Sequence, residues 1–239
     1  MVNIVVMLKD YFNRKNKILL VAFLVYNIML LSFMYVSFNK SKKDYIKEHN
    51  IISYKFFKVS EKTENVENIL PYQMKGFVNK YKPFLSDDMA MYISYLSQSF
   101  NIDPDIMVAI LKTENLTKNP EAVSKPNKNG SVDIGLFQLN DRSLYSKGGF
   151  VELFWKFDEL EFQATNWKHN TYIAVRYVDD LCKSFGRDIL VAPIIASGYN
   201  GGRSTAIKYR DTGVVPAHVQ DYVAKFTENL KEIKFWSEM

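Results

Sequence analysis

The stretch ENLTKNPEAVS, from Glu114 to Ser124, follows an apolar run and begins a long polar loop. Pro104 precedes the run and is favourable in the first turn of a helix. One face of this helix is apolar and carries residues at helical spacing, namely Ile106, Ala109, Ile110 and Thr113. The pattern predicts a helix that ends at Glu114, so a carboxylate lies at the junction between a buried helix and a loop.

Helical periodicity continues on both sides of this stretch. Ser86 or Asp87 is predicted to cap a helix over 87–100. Residues 116–143 contain prolines and glycines and are predicted to be mostly loop, with a short extended piece. Further helices are predicted over 168–185, 189–197 and 217–234. The fold class is therefore mainly α, with a helical domain over 86–239, preceded by a stalk or accessory segment over 40–85 that packs on it.

The basic charge of the chain belongs to its first 45 residues. The whole chain carries a formal net charge of +5, and residues 1–45 hold seven basic and two acidic side chains. The remaining 194 residues contain 24 basic and 24 acidic side chains and are neutral overall. A nucleic-acid-binding domain would carry a basic surface, so the main domain is not expected to bind nucleic acid.

Residues 18–39 form a run of 22 residues without a charge. A helix of this length spans ~33 Å, enough to cross the hydrocarbon core of a bilayer. A cleaved signal peptide is the alternative, but its apolar region is usually shorter and small residues follow it. A buried soluble helix is a third reading. The sequence favours an uncleaved transmembrane anchor over 18–39 behind a cytoplasmic N-terminus, residues 1–17.

Other chemistries lack their usual residues. The three histidines are far apart, and no Cys/His spacing suits zinc, so neither a metal nor another cofactor is expected. The single cysteine, Cys182, lies among apolar residues at helical spacing, which favours a buried structural thiol over a nucleophile. Glu114, in contrast, follows apolar residues, and a carboxylic acid in such surroundings keeps its proton and can donate it. An ordinary exposed glutamate at a helix end is the alternative.

Three blocks in this order resemble the catalytic core of lytic transglycosylases, enzymes of the goose-type lysozyme-like superfamily that cut peptidoglycan. The first comprises Glu114, Ala122 and Ser124, the second is GLFQ at 135–138, and the third is YNGG at 199–202. The sequence departs from the usual pattern at Asn115, where serine is common, and it has a longer loop between the first two blocks. That loop, which contains NGSVDIG at 129–135, resembles the subgroup that accompanies secretion and conjugation machinery.

The resemblance implies a lysozyme-like fold and an acid/base role for Glu114 without a second carboxylate. Glu114 would protonate the glycosidic oxygen of the MurNAc-GlcNAc β-1,4 bond, and the 6-hydroxyl of the substrate would attack, leaving a 1,6-anhydromuramic end. Tyr199 would hydrogen-bond and position Glu114, although it also suits a core aromatic. Gln138 and Ser124 would hold sugar groups, or else only stabilise the loop.

Two residues and the overall function keep alternatives. Asn200 would organise the glycine turn or touch substrate. Asp133 would cap the turn, or position a water and shift the enzyme toward hydrolysis as a muramidase. A non-catalytic envelope scaffold on the same fold is a further alternative. The expected location is the cytoplasmic membrane, with the catalytic domain in the periplasm or cell-wall space, bound to glycan strands and associated with a secretion, conjugation or motility complex.

Overall fold

The computed structural model describes residues 73–115, 119–157 and 160–238. These residues belong to one unit of the chain, Phe56–Met239. The predicted anchor over 18–39 and most of the segment over 40–85 lie outside the described residues. Among the residues that are described, none of the helices is long and apolar enough to cross a membrane.

The described part of the chain is mainly helical, as the sequence predicts. Its helices are α1 (Gln73–Tyr81), α2 (Asp87–Ser99), α3 (Pro104–Glu114), α4 (Asp141–Tyr145), α5 (Phe150–Phe154), α6 (Trp167–Phe185), α7 (Ala192–Gly201), α8 (Arg203–Thr212) and α9 (Gln220–Glu238). Single 3-10 turns precede α7 and α9, at Ile189–Val191 and Ala217–Val219. Strands β1 (Asp133–Ile134) and β2 (Leu139–Asn140) pair antiparallel, with Asp133 opposite Asn140.

Helix α3 lies at the centre of the core. Every side chain from Ile106 to Leu111 is at most 1% exposed, and a helix that is apolar on all sides is suited to such a position. Asp103 caps the helix by accepting a hydrogen bond from the Asp105 N–H, and Pro104 occupies its first turn. The C-terminal end of α3, which carries Glu114, therefore belongs to a helix that is almost wholly buried.

Helix α9 packs along α3 and fixes its C-terminal turn. The Lys225 ammonium donates a hydrogen bond to the Thr113 carbonyl at 2.6 Å. The Asn229 amide donates to the Thr113 hydroxyl at 2.9 Å and is itself buried. Carbonyls in the last turn of a helix lack helical partners, and the Lys225 bond satisfies one of them. Both bonds from α9 hold the turn that carries Glu114 in place.

Residues 73–85 pack on the domain. The Tyr81 hydroxyl donates to the buried Asp105 carboxylate at 2.6 Å, and Lys80 forms an ion pair with the same group. Phe84 is also buried, and the Lys112 ammonium lies 4.9 Å from the centre of its ring. At its C-terminal end, the segment predicted over 40–85 thus contacts the first and the last turn of α3.

The helices predicted over 87–100 and from Pro104 to Glu114 are present, and Ser86 is the N-cap of α2, accepting a hydrogen bond from the Met89 N–H. The prediction over 189–197 was partly wrong, because a 3-10 turn precedes α7 and the helix continues to Gly201. Helix α8 was not predicted. Only Thr205 and Ala206 of α8 are buried, so its sequence carries almost no apolar stripe.

Candidate active site

Glu114 lies on the wall of an open cavity of about 450 Å³. The cavity lies among the C-terminal end of α3, the two-stranded sheet, and α7. Five of the six residues expected at the site line it, namely Glu114, Asp133, Gln138, Tyr199 and Asn200. The fold therefore brings together three blocks that are separated by as many as 85 positions.

The pKa of Glu114 is raised from 4.5 to about 7. Burial of the carboxyl group is the main cause, because desolvation disfavours the charged form. The Tyr222 hydroxyl partly opposes this, the negative charge of Asp133 adds to it, and the Lys225 ammonium opposes it. An acid with such a pKa is largely protonated at neutral pH or below and can donate its proton to a leaving oxygen.

Tyr222 on α9 is a residue that sequence reasoning missed. Its hydroxyl is buried and faces the Glu114 carboxylate. It forms no hydrogen bond of ordinary geometry to any described residue. Tyr222 begins a stripe on α9 that continues with Lys225, Phe226 and Asn229 at helical spacing. That stripe faces the end of α3 and was the only signal for the residue in the sequence.

Tyr199 does not form the hydrogen bond to Glu114 that the resemblance implied. Its hydroxyl instead donates to the Phe137 carbonyl at 3.0 Å. Burial, and after it the charge of the nearby Glu114, raise the Tyr199 pKa well above its ordinary value, so the two side chains are close. Tyr199 thus ties α7 to the turn at 135–138, and Tyr222 is the tyrosine whose hydroxyl faces the acid.

Asp133 does not cap the turn, which was one of the two roles expected for it. Its two carboxylate oxygens accept hydrogen bonds from side-chain amides, Asn140 at 2.8 Å and Asn127 at 3.3 Å. The Ser131 hydroxyl accepts a bond from each of those amides, at 2.9 and 3.2 Å, and donates to the Asn129 oxygen at 2.7 Å. The carboxylate is therefore held toward the cavity by neutral groups.

Ser124 and Gln138 both act within the loop. The Ser124 hydroxyl accepts a hydrogen bond from the Asp133 N–H at 2.9 Å and donates to the Lys125 carbonyl at 3.0 Å. Ser124 is not one of the residues that line the cavity. Gln138 does line it, but its amide donates to the carbonyl of Gly135 at 2.8 Å and to that of Ala122 at 3.2 Å. In the structure both side chains therefore stabilise the loop, which was the alternative to holding sugar groups.

Asn170 on α6 holds the GLFQ turn and was also missed. Its side-chain oxygen accepts from the Phe137 N–H at 2.7 Å, and its amide donates to the carbonyls of Ile134 at 2.9 Å and Ala164 at 3.0 Å. Gly135 has a φ of +82°, and a Cβ there would lie 2.3 Å from the Asn170 amide. The signal in the sequence was a polar residue on the apolar stripe of α6, since a buried amide requires partners.

The YNGG turn ends α7 and begins α8. Asn200 is exposed at the cavity, and Gly202 has a φ of +83°, which a residue with a side chain rarely adopts. A Cβ on Gly201 would lie 2.7 Å from the Thr205 hydroxyl oxygen. The two glycines therefore let α8 begin directly beside Asn200 and Tyr199.

Metal chemistry has no visible support in the described ranges. Within residues 73–115, 119–157 and 160–238, no group of three His, Cys, Asp or Glu side chains could hold a metal ion. Cys182 is buried, and burial raises the pKa of its thiol to about 11. This thiol is thus far from the state in which a cysteine acts as a nucleophile.

A helical domain with a buried acid at the edge of an open cavity defines a candidate glycan-cleaving enzyme. The family model described as the transglycosylase SLT domain matches residues 91–213. The chain belongs to this family, and the protein is a peptidoglycan lytic transglycosylase, a lyase that breaks glycosidic bonds. The match includes the three blocks and ends before α9. The search of curated proteins gave no match.

Proposed function

We propose that the protein cleaves the β-1,4 bond between MurNAc and GlcNAc with Glu114 as its acid/base, leaving a 1,6-anhydromuramic end. The observation that carries the proposal is a carboxyl group whose pKa burial raises to about 7, on the wall of an open cavity. The family match supports glycosidic-bond cleavage in peptidoglycan. The 1,6-anhydro form of the product is the part of this proposal that goes beyond the family match.

The reaction needs two proton transfers at one group. Protonated Glu114 donates its proton to the glycosidic oxygen as the bond from that oxygen to the anomeric carbon breaks. The 6-hydroxyl oxygen of the same muramyl residue then bonds to the anomeric carbon, and its proton passes to the Glu114 carboxylate. Glu114 is thereby protonated again, so no water is consumed.

The neighbours of Glu114 suit a group that alternates between two charge states. Burial and the Asp133 charge favour the protonated acid, while the Lys225 ammonium and the Tyr222 hydroxyl favour the carboxylate. These opposing effects keep the pKa close to neutral, where an acid/base is most effective. Helix α9 supplies both stabilising groups and also fixes the end of α3.

We further propose that the chain is anchored by residues 18–39 in the cytoplasmic membrane, with the catalytic domain on the outer side, where peptidoglycan lies. The uncharged run of 22 residues supports the anchor. The loop over 124–135 supports service to a secretion, conjugation or motility complex, because it resembles the loop of the specialised subgroup. Protease treatment of spheroplasts tests the topology, and a protected C-terminal domain would contradict it.

Mass spectrometry of the muropeptides that the full-length protein releases from sacculi tests the reaction. We expect fragments that are lighter by one water than reducing-end muropeptides. Only reducing-end fragments would refute the anhydro product and would indicate hydrolysis.

Hydrolysis is the second candidate function, and the geometry of Asp133 favours it. A second carboxylate lines the cavity together with Glu114 and is held by the amides of Asn127 and Asn140. Glycosidases that use water commonly pair an acid with a second carboxylate. If reducing-end products form, Asp133→Asn should abolish them selectively.

A further inference from the structure

Two asparagines of the sequence are followed directly by glycine, in the pairs Asn129–Gly130 and Asn200–Gly201. Both asparagines line the cavity. An asparagine in such a pair can lose its side-chain amide without an enzyme, because glycine has no Cβ to keep its backbone nitrogen away from the side-chain carbon that it attacks. The structure holds the two pairs in different ways, so their reactivity should differ.

Asn129 and Gly130 lie in an exposed part of the long loop. The Asn129 side-chain oxygen accepts hydrogen bonds from the Ser131 N–H at 3.0 Å and from the Ser131 hydroxyl at 2.7 Å. A bond from this oxygen to the N–H two residues on folds the amide back over the intervening peptide, which brings Cγ toward the Gly130 nitrogen. The two bonds also draw electron density from Cγ, and this favours attack there.

Little opposes the reaction at Asn129. Its side-chain nitrogen, which is the leaving group, donates no hydrogen bond to a described residue. A Cβ built on Gly130 would meet no described atom nearer than the Arg142 guanidinium, at 3.8 Å, so this peptide has room to turn. One hydrogen bond must break, from the Gly130 N–H to the Asn127 carbonyl at 2.8 Å. The loss of one such bond slows a reaction about fivefold.

Asn200 and Gly201 are the last two residues of α7 and are held more tightly. The N–H of the residue after them still donates a helical hydrogen bond, at 2.9 Å. A Cβ on Gly201 would lie 2.7 Å from the Thr205 hydroxyl oxygen and 2.8 Å from a methyl group of Val219. Attack on the Asn200 side chain requires rotation about its Cα–C bond, which would break the last turn of α7 and bring the next peptide against these neighbours. The fold therefore protects Asn200.

We propose that Asn129 is a site of spontaneous deamidation, with water as the reactant, and that the fold protects Asn200 from the same reaction. The Gly130 nitrogen bonds to Asn129 Cγ, the bond from Cγ to the side-chain nitrogen breaks, and that nitrogen leaves as ammonia with the Gly130 proton. Water then adds to either carbonyl of the resulting succinimide and opens the ring, which leaves an aspartate or an isoaspartate. In sum, an amide and water give a carboxylic acid and ammonia, so nothing is oxidised or reduced.

The modification changes the wall of the cavity beside Asp133. Glu114 and Asp133 are the charged residues among the described residues that line the cavity, so deamidation adds a third carboxylate there. An isoaspartate also lengthens the main chain by one carbon, which displaces Ser131. The Ser131 hydroxyl accepts hydrogen bonds from the same two amides that hold Asp133, those of Asn127 and Asn140. The reaction itself does not depend on the function proposed for Glu114.

Peptide mapping by mass spectrometry tests the site in the full-length wild-type protein, kept folded in detergent at pH 8 and digested after increasing times. The rate at each asparagine is read from the mass gained when an NH2 group is replaced by an OH group. We expect Asn129 to be modified at least fivefold faster than Asn200, because Asn200 must lose at least one further hydrogen bond of its helix. Asn127 lies in the same loop but precedes a lysine, and it should stay unmodified over this time.

The same protein unfolded in urea is the matched control, because the fold no longer distinguishes the two pairs there. Asn129 and Asn200 should then be modified at similar rates. The tryptic fragment over 129–142 also contains Asn140. The variant Asn129→Gln should lose the mass gain in this fragment, which places the reaction at Asn129.

A gain at both pairs in urea, together with a gain at Asn129 and a protected Asn200 in the folded protein, would support the proposal. Equal rates at Asn129 and Asn200 in the folded protein would overturn it. So would a folded protein that gains no mass at Asn129 while the urea-unfolded protein gains mass at both pairs.

Discussion

Replacing Glu114 with glutamine should stabilise the protein at alkaline pH but not at acid pH. The pKa of Glu114 is 4.5 in the unfolded chain and about 7 in the folded one. Below pH 4.5 the carboxyl is protonated in both the folded and the unfolded state, so it makes no pH-dependent contribution to the free energy of unfolding. Between these values folding requires proton uptake, so stability falls as the pH rises. Above pH 7 the folded protein holds a buried carboxylate, and its stability is lowered by the full free-energy cost of burying that charge.

The size of this effect follows from the two pKa values. A rise from 4.5 to about 7 corresponds to about 3 kcal/mol, since one pKa unit is worth about 1.4 kcal/mol. Glutamine has nearly the same shape and stays neutral, so it avoids that cost. The free energy of unfolding of Glu114→Gln, relative to wild type, should be larger at pH 8 than at pH 4 by about this amount.

Urea unfolding of the full-length proteins in detergent at pH 4, 6 and 8 measures this difference. Glu228→Gln is the control, because Glu228 is an exposed glutamate on α9, and its effect on stability should be nearly the same at each pH. A stability difference for Glu114→Gln that does not change between pH 4 and pH 8 would refute a buried acid with a raised pKa.

Three further predictions concern the neighbours of the acid and the turn. The kcat/KM for sacculi should fall about tenfold from pH 6 to pH 8, because Glu114 has a pKa of about 7 and ionises in this range. In the pH–rate profile of Lys225→Met this fall should move to higher pH, because the substitution removes a positive charge that lowers the pKa of Glu114. Asn170→Ala should lower the free energy of unfolding by at least ~3 kcal/mol in urea titrations. The Phe137 N–H and the carbonyls of Ile134 and Ala164 would lose their hydrogen-bond partner. Asp133→Asn should leave the anhydro product in place, so mass spectrometry showing its loss would mean that the second carboxylate takes part in transglycosylation.

The helices with strong apolar patterns could be predicted from the sequence. Helix α3 carries an apolar run and a proline at its start, and it is present with those bounds. The stripe on α6 likewise predicted most of that helix. Helix α8 could not be predicted in this way, because its buried surface is limited to Thr205 and Ala206. Its start depends on the glycine turn, where Gly202 adopts a φ of +83°.

The motif residues at the cavity could be predicted, but their hydrogen bonds could not. Blocks in the right order predicted that Glu114, Gln138 and Tyr199 belong to one site, and the fold brings them to one cavity. Which tyrosine faces the acid depends on how α7 and α9 pack, and spacing along the chain does not encode that. Tyr222 lies 108 positions after Glu114, and no motif in the sequence links the two residues.

The roles of the polar loop residues could not be predicted from the sequence either. A hydroxyl such as that of Ser124 suits either a sugar or a nearby backbone group, and the loop geometry decides between them. In the structure it pairs with the Asp133 backbone. Asp133 in turn is held by the amide of Asn127 in the loop and by that of Asn140 on β2, which the β1–β2 pairing places opposite it.

The rate of muropeptide release from sacculi by Glu114→Gln at pH 6, compared with wild type, is the most direct test of Glu114 as the acid/base. Glutamine keeps the shape of the side chain but has no proton to donate to the leaving oxygen. We expect the rate to fall by a factor of about 10² or more, while Glu121→Gln, an exposed neighbour outside the cavity, keeps the wild-type rate. Release by Glu114→Gln at the wild-type rate would contradict the assignment.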